Sequence, residues 1–353
     1  MEPRTPATKP EIKPKNNAAS QPAAAGRVGP ETGLQVDLAP HHPNHLRLAN
    51  PVMIASGTLG YDGYGRGLTP ETALNQLGAI IPKTLTRQPR EGNPEPRWYP
   101  ESFRAGLEGG ESIMLNSIGL ANPGIEPAVQ GLTALWDQWG ATVLISFSAD
   151  SAAQFGEMAA MAQGAPGFKA IELNLSCPNI ESGAMFSHSA RLTAAAVAAV
   201  KANNDLPVLV KLAPNVPDIT EIALAAVDAG ADALTISNTL PAMKIDTKTH
   251  RPVLGNVTGG LSGEGLRPVS LALVYRAFQV VNVPIIGVGG IFTGEHALEY
   301  ILAGATAVQI GSANLANLQA PFRILDELTA LVSETSVSNI TELVGAVEAP
   351  VGA

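Results

Sequence analysis

Cysteine occurs once in 353 residues, at Cys177. A single thiol excludes an internal disulfide, and it excludes a zinc or iron–sulfur site built from four thiolates of this chain alone. Such scarcity fits a reducing compartment, and a cytoplasmic location is the expectation. Positive charge is also short: 22 Lys and Arg stand against 31 Asp and Glu, a net charge of −9. That balance argues against nucleic acid as a partner, because a nucleic-acid footprint needs clustered positive charge. No apolar stretch approaches the roughly 18 residues of a membrane span, so no membrane partner is expected. Residues 1–33 have no apolar core of the kind a secretory signal carries, and their Pro-, Ala- and Lys-rich composition reads as a disordered tail. Three histidines follow in "HHPNHL", His41, His42 and His45. With Pro43 among them and no acidic partners evident, the segment reads as a plain loop, and no metal site is expected.

Hydrophobic residues, by contrast, make up 45% of the chain against 15% charged, enough for a substantial core. Short β-branched runs recur at 52–56, 79–83, 143–147, 170–175, 208–212, 233–237, 284–288 and 307–311. Helical patterns separate them, such as 189–204 and 218–230, the second opened by Asp218 as N-cap and stopped by Gly230. Strand–helix alternation implies a parallel sheet, and eight units imply a (β/α)₈ TIM barrel, assigned here to residues 34–336 with 337–353 as a C-terminal tail. A doubly wound open sheet is the rival, but it would want a glycine-rich turn after its first strand.

Active sites of such barrels lie at the C-terminal strand ends. Those ends read Ser56, Lys83, Ser146, Asn174, Lys211, Asn238, Gly289–Gly290 and Gly311–Ser312. Two lysines around one mouth favour an anionic ligand over two solvated strand ends. Glycines after strands 7 and 8 let backbone N–H groups approach a phosphate. A nicotinamide site is disfavoured, since no G-x-G-x-x-G opens a helix after a strand. Pyridoxal phosphate would use one lysine, whereas flavin mononucleotide uses both, because reduced flavin carries negative charge that a fixed ammonium stabilises.

Across residues 46–325 the motifs "NPVMIASGTLGYD", "PREGNPEPR", "MLNSIGLANPG", "ELNLSCPN", "VLVKLAPNV", "SNTLPAMKIDTKTHRPVLGNVTGGLSG" and "PIIGVGGI" occur in this order. Together they closely resemble the dihydroorotate dehydrogenases, specifically class 1B catalytic subunits. The resemblance implies FMN at the mouth of the barrel and oxidation of dihydroorotate to orotate in pyrimidine biosynthesis. It makes Cys177 the base that takes the C5 proton while hydride leaves C6 for the flavin. It assigns substrate contacts to Lys83, Asn116, Ser117, Ile118, Gly119, Leu120, Asn174, Asn238 and Thr239. It assigns flavin contacts to Ser56, Lys83, Thr84, Ser146, Asn174, Lys211, Ser237, Gly263, Gly289, Gly290, Gly311 and Ser312. Residues 181–190 become a flexible lid over the substrate. The implied assembly is a homodimer within a heterotetramer, its partner carrying the FAD and [2Fe–2S] cluster through which electrons reach NAD.

The chain departs from the pattern at Ser146, where the family usually has an asparagine, and at Ser237, where an apolar residue is common. The segment "WYPESFRAGLEGGES" is also longer than its counterpart. Three other readings stand beside this one: a related FMN barrel acting on another pyrimidine, a fumarate-using class 1A enzyme, and a silent flavoprotein scaffold.

Overall fold

The computed structural model describes residues 33–63, 73–108, 110–176 and 185–348. Eight short parallel strands form the core: β1 (Val52–Ile54), β2 (Ala79–Ile80), β3 (Leu144–Phe147), β4 (Ala170–Asn174), β5 (Val208–Leu212), β6 (Ala233–Ile236), β7 (Ile285–Val288) and β8 (Ala307–Ile310). Their order is β2-β1-β8-β7-β6-β5-β4-β3. A parallel bridge between Ile80 and Val143, with the Ile80 amide donating to the Thr142 carbonyl at 2.8 Å, closes the ring between β2 and β3. All eight strands fall on the runs read from the sequence. They are legible because both faces are covered, so nearly every strand residue is buried and the run is continuously apolar instead of alternating.

Helices such as Ala152–Ala162, Ala190–Lys201, Ile219–Asp228 and Gly294–Leu302 lie between the strands. Each starts where a side chain satisfies an otherwise orphaned amide. Ser151 accepts from Gln154, Ser189 from Leu192, Asp218 from Thr220 and Thr293 from His296. Among the described residues no helix is long and apolar enough to cross a membrane.

Two excursions rise from this frame, one after β2 and one after β6. They supply the strands Trp98–Tyr99, Met114–Asn116, Leu240–Ala242 and Gly259–Ser262 of a separate four-stranded antiparallel sheet. The longer segment noted in the sequence forms one edge of it and the helix Phe103–Glu108, whose Phe103 ring lies 6.5 Å from that of Phe292.

Three expectations are corrected. Residues 337–348 do not form a detached tail: Ile340 is fully buried, its amide donates to the Gly33 carbonyl, and Val347 donates to Leu302. Within the expected lid, residues 185–190 are anchored, because Phe186 is buried edge-on against Phe155 at 5.3 Å; residues 181–184 lie outside the described residues. His45 does have an acidic partner, Asp37 Oδ2 at 2.7 Å, brought to it by the antiparallel pair Val36–Asp37 and Arg47–Leu48.

Candidate active site

The C-terminal ends of the strands and the antiparallel sheet enclose a cavity of about 800 Å³. Ser56, Lys83, Thr84, Asn174, Lys211, Ser237, Gly289, Gly290, Gly311 and Ser312 line it from the barrel. Asn116, Ser117, Ile118, Gly119, Leu120, Asn238 and Thr239 line it from the excursions and the β6 exit. Two expected residues stand one layer back. Ser146 is buried behind Thr84, and the Gly263 amide donates to Ser312 Oγ at 3.1 Å. Cys177, the expected base, lies outside the described residues. Its neighbour Ser176 and the first residue after the gap, Met185, both line the cavity.

Beside β1 and β2, Ser56 Oγ donates to the Pro82 carbonyl at 3.0 Å. Ser56, Thr84 and Ser146 form a hydroxyl chain with steps of 2.9 Å. Ser146 is thereby tied to the cavity lining through Thr84.

At the exits of β4 and β6, the Asn238 Nδ2 group donates to Asn174 Oδ1 at 3.1 Å and to Ser176 Oγ at 2.8 Å. Asn174 Oδ1 also accepts from the Ser176 amide, so its Nδ2 hydrogens are what Asn174 offers a ligand. Opposite, Asn116 Nδ2 donates to the Gly260 carbonyl at 3.3 Å, and Ser117 Oγ accepts from Asn93 at 2.8 Å. Gly119 and Leu120 both have positive φ, 70° and 54°. A Cβ on Gly119 would sit 2.5 Å from Asn93 Oδ1, so only glycine lets the loop close here.

The floor is polar and buried. Lys211 on β5 is 7% exposed, its Nζ donating to Gln309 Oε1 at 3.3 Å with Glu172 Oε1 at 4.0 Å. Glu172 on β4 is fully buried, its Oε2 accepting from Gln309 Nε2 at 2.6 Å and from Thr235 Oγ1 at 3.1 Å.

The β7 exit fits a phosphate. Gly290 has φ 67°, and a Cβ there would lie 2.7 Å from both Arg267 Cβ and the Glu264 carbonyl, so the backbone packs too closely for any side chain. Tyr300 is fully buried and its hydroxyl donates to the Gly289 carbonyl at 2.7 Å. Burial pushes its phenol well up, so it stays a neutral donor. At the rim, the Tyr99 hydroxyl donates to Glu111 at 2.8 Å, and that bond, with Lys244 at 3.4 Å, holds Glu111 below its ordinary range.

Sequence reasoning missed Arg90, Asn93, Ser176, Asn215, Asn256 and Thr258, which also line the cavity. Arg90 is committed to both oxygens of Asp150, at 2.7 and 2.8 Å. All six sit inside or beside the quoted motifs, and their polar character within glycine- and proline-rich loops was the available signal.

A sequence profile for a family described as dihydroorotate dehydrogenase matches residues 41–332. A curated protein of Desulforudis audaxviator named dihydroorotate dehydrogenase B (NAD(+)), catalytic subunit, is 43% identical over 302 residues, covering 85% of this chain and 94% of its own. Proteins of the same name from Desulforamulus reducens and Geobacter sulfurreducens are 44% and 41% identical, covering 85% and 86% of this chain and 95% and 96% of their own.

Proposed function

Because the chain belongs to the dihydroorotate dehydrogenase family, we propose that the cavity holds FMN against the floor and dihydroorotate above it, with Cys177 as the base. The reaction is the oxidation of dihydroorotate to orotate in pyrimidine biosynthesis, and FMN is the cofactor. One observation supports the site reading most: three asparagines, Asn116, Asn174 and Asn238, and two lysines, Lys83 and Lys211, converge on one cavity whose far wall is the glycine cradle of β7 and β8.

FMN, when bound, supplies the hydride acceptor. The protein's own residues do the rest. The Asn174 Nδ2 hydrogens and the Asn116 amide donate to the substrate's carboxylate and carbonyl oxygens, fixing which face of the ring meets the flavin. Lys83 reaches both cofactor and substrate. Lys211 would hold a positive charge at the floor, which would stabilise the negative charge of a reduced flavin. Ser56, Thr84 and Ser237 offer hydroxyls to the flavin edge. Gly289, Gly290, Gly311 and Ser312 hold its phosphate, with Ser146 and Gly263 supporting from behind. Cys177 would take the C5 proton, and a reducing cytoplasm would keep that thiol free.

Tyr300 tests the cradle. Tyr300→Phe removes the donor to the Gly289 carbonyl, a bond worth about 1 kcal/mol. The FMN dissociation constant should rise about fivefold, read from the fluorescence of released flavin, with the substrate KM unchanged.

The electron acceptor follows the relatives' name. We infer that electrons leave through a partner subunit carrying FAD and a [2Fe–2S] cluster, and pass to NAD. A homodimer of this chain would form the core of that assembly. The isolated holoprotein should be bleached by dihydroorotate yet reduce NAD poorly, and adding such a partner should restore NAD reduction. Efficient NAD reduction by the isolated chain would overturn the partner assignment. Failure of dihydroorotate to bleach the flavin would overturn the site reading itself.

A further inference from the structure

A fully buried carboxylate lies beneath the proposed flavin site. Glu172 is fully buried, and its Oε1 has no hydrogen-bond partner among the described residues. The cation it faces is Lys211, at 4.0 Å. Its other oxygen is held by Gln309 and Thr235. Glu172, Thr235 and Gln309 come from β4, β6 and β8, alternate strands contributing to one layer, as barrel interiors are built. Such layers are ordinarily branched and apolar. Isolated burial of a carboxylate costs several kcal/mol unless a nearby cation and hydrogen bonds offset it.

Fold stability does not account for the arrangement, since a buried ion pair is often no better than apolar residues of like volume. The pair stands at the cavity floor, where Lys211 lines the cavity and Glu172 does not. We propose that Glu172 is a positioning residue that acts on the flavin through Lys211. It holds the ammonium at the floor, together with Gln309 Oε1, and it offsets part of the positive charge that the flavin meets. Lys211 alone would pull the reduction potential up; the carboxylate behind it sets how far. A flavin that must take electrons from dihydroorotate and then release them needs a potential between the two, and this pair adjusts it without touching the reacting atoms.

The inference rests on the proposed placement of Lys211 under the flavin, and a charge cycle separates the two. The holoprotein and the variants Glu172→Gln, Lys211→Met and Glu172→Gln/Lys211→Met are each equilibrated with a reference dye of known potential. Glu172→Gln leaves the ammonium unopposed, so its flavin should be easier to reduce by about tenfold in the two-electron equilibrium, about 30 mV. Lys211→Met leaves the carboxylate alone and should shift the potential as far the other way. The double variant carries neither charge and should return to within about threefold of wild type. Glu172→Asp, which keeps the charge, should stay near wild type, whereas a merely structural role would make it as disturbed as Gln. A double variant with the potential of Lys211→Met would overturn the role of Glu172 and leave the placement of Lys211 standing. Potentials unmoved in every variant would overturn both. If Glu172→Gln alone does not fold, the double variant against Lys211→Met still decides, because that step removes only the Glu172 charge.

Discussion

Replacing Cys177 by Ser is expected to slow reduction of the bound flavin by dihydroorotate by about 10²–10⁴-fold at neutral pH, the usual contribution of a general base. FMN and orotate should still bind. The argument begins with acidity: a cysteine thiol with a pKa of about 8.5 keeps a usable thiolate fraction near neutrality, and a serine hydroxyl does not. The deficit should narrow as pH rises and hydroxide replaces the missing base. Ser176, Asn174 and Met185 all line the cavity, and the amides of Asn174 and Asn238 are oriented by each other and by Ser176, ready for a substrate. A cysteine that only packs predicts a different result, because a near-isosteric change would lower stability slightly and leave the rate alone. Stopped-flow bleaching across pH, with flavin content and folding measured in parallel, separates them. Equal rates at pH 7 would remove Cys177 from the chemistry.

The barrel was legible because its signal is local. Each strand is a short apolar run covered on both faces, and several of the helices between them open on a capping residue that can be read within four positions, as at Asp218 and Thr293. The strand-end residues were legible by the same logic, since polar side chains at strand exits face the mouth. What escaped depends on contacts across the ring. Glu172 sits inside the apolar run of β4 and reads as an interruption; its meaning comes from Gln309, 137 positions away, and from Lys211 on the next strand. Ser146, which the resemblance makes a flavin contact, bonds Thr84 from the β2 exit, a partner that its own strand does not reveal. Residues 337–348 lie beyond the eighth strand–helix unit, so the sequence alone reads as a tail. Their attachment is made by Ile340 and by backbone bonds to Gly33, Ile301 and Leu302, which no composition reveals.

Lys211→Met should produce two losses of different origin, and a second substitution should separate them. Removing the ammonium strands the buried Glu172 carboxylate with only the neutral donors Gln309 and Thr235. Breaking a buried pair from one side typically costs about 3–5 kcal/mol, so stability in urea at a fixed excess of FMN should fall by that order. Flavin reduction by dihydroorotate should slow by up to about tenfold, because the charge that stabilises the reduced form is gone. Adding Glu172→Gln replaces the stranded carboxylate by an amide that Gln309 and Thr235 can still bond, and most of the stability should return. The rate should recover only in part: the opposing negative charge is relieved, but the fixed ammonium is still absent from the floor. Stability recovered with the rate still well below wild type would assign Glu172 and Lys211 their separate tasks. A double variant as unstable as Lys211→Met would mean that Lys211 supports the fold by packing its stem among the strands and not by answering the carboxylate.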